Sequence, residues 1–115
     1  MTIQKFEDII AWQKARILNR ELFARFNKLA DFTFKDQILR ASLSITNNIA
    51  EGFERATDKE LRQFLTIARG STAEVRSMLY TALDNGYINH SQHQVFVANA
   101  EEVGRLLTGF IKKLN

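Results

Sequence analysis

Residues 34–52 read Phe34-Lys-Asp-Gln-Ile38-Leu-Arg-Ala41-Ser-Leu-Ser-Ile45-Thr-Asn-Asn-Ile49-Ala-Glu-Gly52. The numbered residues step by four, three, four, four and three, which holds them on one side of an α-helix and scatters them in a strand. Arg40, Ser44, Asn47, Asn48, Glu51 and Arg55 project to another side. Adjacent asparagines are poor helix formers in a helix interior, because their amides compete for backbone partners. Their presence points to specific hydrogen bonds, read first as a polar network fixing register within the bundle or between subunits. Ligand contact by Asn48 and Glu51 is the alternative. The small Ser, Thr and Gly52 side chains let neighbouring backbones come close.

The same periodicity extends in both directions. A first helix is expected over 6–28 and a second over 34–54, the latter capped by Thr33 with Asp36 in its first turn. Thr57-Asp-Lys-Glu60 has capping-box form and opens a third helix over 58–85, with Leu61, Phe64, Leu65, Ala68, Thr72, Val75, Leu79 and Ala82 as its core line. Asp84-Asn85-Gly86 stops it, since Gly86 tolerates a left-handed backbone and Tyr87 and Ile88 can fold back on the last turn. Ser91 with Gln94 suggests a second capping box before a fourth helix over 91–113. Proline is absent and no repeat or linker interrupts the pattern. Residues 1–115 are therefore expected to form one all-α domain, an antiparallel up-down-up-down four-helix bundle.

Hydrophobic residues make up 45% and charged residues 25%, a globular balance. The absence of cysteine excludes disulfides and thiolate metal sites and fits a reducing compartment. Acidic Glu7 and Asp8 stand where a signal peptide would be apolar, and no apolar run reaches membrane-spanning length. A cytoplasmic protein with no membrane partner is expected. The net charge of +3, from 16 Lys and Arg against 13 Asp and Glu, permits an anionic partner without requiring one.

The first helix does not confine its apolar residues to one stripe. Phe6, Ile10 and Ile17 share one side, Leu18, Leu22, Phe26 and Leu29 another, and Trp12 with Phe23 a third, the last two about 20° apart at about 100° per residue. Leu39, Leu43, Ala50 and Phe53 likewise lie beyond the main stripe of the second helix. This breadth implies a second burial, against further copies of the chain.

Arg55, Arg62, Arg69 and Arg76 recur every seven residues, which over the helical part stacks them along one edge with a drift of about 20° per step, while Arg55 precedes the cap of the third helix. Tyr80 lies on the same side as Arg62 and Arg69. A rigid arginine row is suited to an RNA or DNA phosphate backbone, because each planar fork makes paired hydrogen bonds and keeps its charge. The competing reading is a row beside the core that covers apolar surface and pairs with acids of a neighbouring helix or subunit.

No catalytic constellation is recognisable. His90 and His93 are expected to be exposed residues of a helix N-terminus; no Glu-x-x-His pair accompanies them, so no metal site and no cofactor are expected. There is no phosphate-binding glycine loop or nucleophile elbow. A non-enzymatic protein follows, with a nucleic-acid-associated homo-oligomer as the leading expectation and a protein-interaction scaffold as the alternative.

Four stretches carry a family resemblance. They are the opening Phe6–Ala15, the run Gln37–Ala41 followed by Ser44–Phe53, the Ala68–Glu74 segment, and the turn Ala82–Ile88. In that order they resemble the motifs of a bacterial four-helix-bundle family, the 23S ribosomal RNA intervening-sequence proteins. The resemblance covers nearly the whole chain and implies a ring-like homopentamer. It extends to accessory proteins of diversity-generating retroelements, including the tail Glu101–Leu107, and those proteins bind nucleic acid. Trp12, Phe23, Asn47, Asn48, Glu51, Gly52, Ser71 and Glu74 are the candidates for structural or subunit contacts. The chain departs from the family pattern at Thr46, commonly proline, at Glu54, usually glycine, and at Leu39-Arg40, where a basic pair is frequent.

Overall fold

The computed structural model describes residues 3–114. Four helices occupy most of them: α1 (Ile10–Phe26), α2 (Phe32–Phe53), α3 (Asp58–Asp84) and α4 (His90–Lys112). Each neighbouring pair runs antiparallel, as the cross-contacts demonstrate. Phe26 stacks edge-on against Phe34 while Asn19, earlier in α1, bonds to Thr46, later in α2. Ser44 bonds to Ser71, whereas Gly52 faces Phe64. Arg69 reaches Thr108, whereas Tyr80 packs on His93. Phe96 meets Phe26, whereas Glu102 approaches Lys14. The result is the expected up-down-up-down bundle, 43 Å in its long dimension. At 27 residues, α3 alone spans about 40 Å of this at 1.5 Å per residue.

The core is the set of stripes read from the sequence. Ile38, Ile45 and Ile49 of α2 are fully buried, and they meet Leu65, Val75 and Leu79 of α3 and Leu107 of α4 in one cluster with Leu18, Leu22 and Phe26 of α1. Burying each such side chain contributes about 1.5–3 kcal/mol. Against this apolar ground lies one polar insertion between α1 and α2. Ser42 donates to the Asn19 side-chain oxygen, Asn19 Nδ2 donates to Thr46 Oγ1 at 3.0 Å, and Thr46 donates to the Leu43 carbonyl at 3.1 Å. The Thr46 hydroxyl thus bonds back into its own helix at a position where proline would have removed a donor.

The helix ends differ from expectation in instructive ways. α1 begins at Ile10, not Phe6: Phe6–Asp8 form a single 3-10 turn, and Ile9 is extended and buried. This break lets Phe6 fold back edge-on to Trp12, at 5.2 Å, which a continuous helix would forbid. α1 also stops at Phe26, two residues before Lys28, where Asn27 Nδ2 donates to the Phe23 carbonyl. Asp31, not Thr33, caps α2 by accepting from the Phe34 amide at 3.1 Å; the carboxylate serves the positive helix end better than a hydroxyl does. α2 ends at Phe53 and α3 at Asp84, each one residue before its expected last residue. Thr57 caps α3 as expected, accepting from the Glu60 amide at 3.2 Å. Gly86, with φ of 76°, closes α3: its amide donates to Leu83 and that of Tyr87 to Ala82. The second capping box is Asn89 with Gln92, both bonds present at 2.8 and 2.9 Å, and not Ser91 with Gln94. Asparagine caps as well as serine, and its use here starts α4 at His90.

His93 therefore falls inside the first turn of α4, facing α3. It is buried, not exposed as expected, with its ring edge-on to Tyr80 at 4.5 Å. Among the described residues, no helix is long and apolar enough to cross a membrane.

Candidate nucleic-acid interface

The arginine row is only partly a row. Arg55 stands in the α2–α3 connection, where its guanidinium pairs with Glu51 at 2.9 Å and lies over the Phe64 ring at 4.7 Å. It closes the α2–α3 corner and does not continue the line. Arg62 is half-buried on α3. Arg69 and Arg76 line an open groove between α3 and α4 of about 470 Å³.

That groove is where the cations converge. α3 contributes Arg69 and Arg76, and α4 contributes Arg105 and Lys112. Among the described residues Glu101 is the one carboxylate in the lining, so four cations against one acid leave a formal +3, as large as the excess carried by the whole chain. Arg76 and Arg105 make no ion pair within 4.0 Å among the described residues. Arg69 is held in place by donation from Nη1 to Thr108 Oγ1 at 3.4 Å. The floor is narrow because Gly104 brings α4 close: a Cβ there would come within 3.3 Å of Thr72 Oγ1. Sequence periodicity within α3 pointed to Arg69 and Arg76 but missed Arg105 and Lys112. These too are seven residues apart, a signal that becomes meaningful once α3 and α4 are known to face one another.

The remaining candidates are dispersed over the bundle. Ser71 is buried and donates to Ser44 at 2.9 Å, and Asn48 donates to the same hydroxyl at 2.9 Å and to the Ser44 carbonyl at 2.7 Å. This is a polar link between α2 and α3. Gly52 is buried against Leu61 and Phe64 of α3, with no room for a Cβ, and Asn47, Glu51 and Glu74 are exposed. Trp12 and Phe23 do not lie together: Trp12 is half-buried under Phe6, with Arg16 at 5.8 Å from its ring, whereas Phe23 is 59% exposed. A separation of eleven residues puts them about 16 Å apart along the helix, so a shared direction does not make a shared contact.

Part of the apolar excess is thus absorbed within the protomer. Leu29, Leu39 and Phe53 also pack partly against the core. What remains outside includes Ile10, Ile17 and Val95 along the α1–α4 seam, and Leu43 and Ile67 elsewhere. Beside Ile10 the seam opens into a recess of about 590 Å³ lined by Ile3, Ile9, Leu106, Phe110 and Leu114. Among the described residues, no cluster of three or more His, Cys, Asp or Glu side chains is placed to hold a metal.

Fold and groove define a class: an antiparallel four-helix bundle with a polar α2–α3 link and a cationic α3–α4 cleft. The sequence profile of the 23S rRNA-intervening sequence protein family matches residues 7–109, and the chain belongs to that family. Among solved structures it is similar to a protein of unknown function from the S23 ribosomal protein family of Bacteroides thetaiotaomicron. The two are 23% identical over 90% of this chain and 96% of that one, with a TM-score of 0.85. At that identity the likeness establishes the fold. No curated protein matches the chain.

Proposed function

We propose that this protein is a non-enzymatic, self-associating helical bundle that binds RNA or other nucleic acid through the α3–α4 groove. The observation that carries the reading is the convergence of Arg69, Arg76, Arg105 and Lys112 on one cleft with a single opposing carboxylate. Binding of a phosphate backbone to such a cluster is driven by release of condensed counterions and does not depend on base identity. The ionisable groups of the groove are guanidiniums, an ammonium and one carboxylate, a set suited to holding anions and lacking a nucleophile–base pair.

Self-association rests on the outward Ile10, Ile17 and Val95 along the α1–α4 seam and on the largely apolar recess beside Ile10. A ring of five protomers is the form that the family resemblance implies. One observation favours the scaffold alternative: Arg55 is already engaged by Glu51 and Phe64, so at least one arginine of the sequence row serves internal packing. Titrating salt against binding of structured RNA separates the two. Affinity that falls steeply with salt supports the groove reading; no affinity even at low salt overturns it and leaves the scaffold.

A further inference from the structure

The cations of the groove are ordered as well as clustered. Because α3 and α4 run antiparallel with Arg69 opposite Thr108 and Thr72 opposite Gly104, Arg105 falls axially between Arg69 and Arg76. Lys112 falls one turn beyond Arg69, and Glu101 lies level with Arg76 at the other end. The sequence along the groove is therefore Lys112, Arg69, Arg105, Arg76, alternating between helices. At 1.5 Å per residue the axial steps are about 7, 4 and 7 Å, a mean of about 6 Å, and the whole line is about 17 Å. The mean axial step is comparable with the spacing of neighbouring phosphates along one extended strand.

A second feature of the same groove is Gly109. It lies on the rim that this groove shares with the α1–α4 recess, exposed, and a Cβ built there meets nothing within 4 Å. A glycine inside a helix weakens it and permits close approach to the backbone. The protomer leaves the space over Gly109 open, so a strand can come close to the α4 backbone there.

We infer that the groove seats a single nucleic-acid strand lying along the α3–α4 seam, with three or four consecutive phosphates on the zigzag of cations. This rests on the groove being a phosphate-binding surface and specifies what it holds. Packed helix axes lie about 8–10 Å apart, so one backbone enters the cleft while a duplex meets only its rims. Among the described residues no aromatic ring lines the groove to stack a base, so the strand is held by its backbone with little preference for sequence.

The test is fluorescence anisotropy of the full chain with a labelled uridine homopolymer and a blunt RNA duplex of matched length. The single strand is expected to bind at least tenfold more tightly, with a log–log salt slope of about −2 to −3 for three or four contacts. Gly109→Leu, which keeps every charge and fills the rim, is expected to weaken single-strand binding at least tenfold without lowering the melting temperature. Arg105→Gln, a milder change on an exposed side chain, is expected to reduce the slope by about 0.7. A duplex bound as tightly as the single strand overturns this inference and leaves phosphate binding standing. Unchanged binding by both variants does the same. No binding of either RNA at low salt removes the groove reading itself.

Discussion

The Tyr87 hydroxyl donates to Asp31 Oδ2 at 2.6 Å, tying the turn that ends α3 to the residue that caps α2. The two turns lie at the same end of the bundle, and the Phe34 ring, edge-on to Tyr87 at 5.2 Å, fills the space between them. Arg25 adds a third strand to this tie by donating to the Tyr87 carbonyl at 2.7 Å.

This pair gives stability a defined pH dependence. The Tyr87 hydroxyl, then the Phe34 amide, hold the Asp31 carboxyl below its ordinary value. Its contribution is complete above the usual carboxylate range and is lost as pH falls through the lowered value. Tyr87 is held above its ordinary value of 10.0, first by the hydrogen bond to Asp31, then by burial and by the Asp31 charge. Its contribution is present below that pH and lost as pH rises through the raised value. Tyr87→Phe is expected to lower the melting temperature at neutral pH and to flatten the acid limb of the stability profile. Asp31→Ala is expected to cost more than Asp31→Asn, because asparagine retains the cap. Thermal melts across pH check both.

Gly52 is required by packing. A Cβ at that position would lie 2.6 Å from Phe64 Cβ and 3.2 Å from Leu61 Cδ1, and a Cβ is fixed to its backbone and cannot swing aside. Gly52→Ala is expected to destabilise by about 1–3 kcal/mol despite the better helix propensity of alanine. A urea titration measures it.

The Asn19–Ser42–Thr46 insertion should behave as a network. Asn19→Ala is expected to cost about 1–3 kcal/mol, because two hydroxyls lose a partner in a closed site. Asn19→Leu combined with Ser42→Ala removes both ends of one bond and is expected to cost less than Asn19→Ala. Equal losses in denaturant melts would mean that the polar atoms act separately.

Much of this architecture was legible in the sequence because its information is periodic. The stripe from Phe34 to Gly52 specified the buried face of α2, and Thr57 with Glu60 specified the start of α3. Where two residues could do the same job, spacing alone did not choose: Asp31 outcompetes Thr33, and Asn89 outcompetes Ser91. The break at Ile9 was illegible because it is set by Phe6 reaching Trp12, a tertiary contact that local propensity does not register. The groove was half legible. Arg69 and Arg76 share a helix and a period, but Arg105 and Lys112 join them only through the pairing of α3 with α4. Arg55 obeyed the period yet fell outside the helix that gives the period meaning.

Self-association has its own test at the α1–α4 seam. Ile10→Lys with Ile17→Lys places two charges on residues that are 52% and 41% exposed and so should leave the protomer folded. Light scattering is expected to give a multimer for the natural chain and a smaller species for the variant. A natural chain that is monomeric at working concentrations would remove the self-association reading.

The most direct test of the groove concerns Arg76 and Arg105, two groove arginines that make no ion pair within 4.0 Å among the described residues. The measurement is the salt dependence of single-stranded RNA binding by the Arg76→Gln/Arg105→Gln variant, taken with the mass of the assembly in the same buffer. Loss of two phosphate contacts is expected to reduce the slope by about 1.4 with the mass unchanged. An unchanged slope, or an assembly that falls apart, would contradict the account and assign these side chains to contacts between subunits.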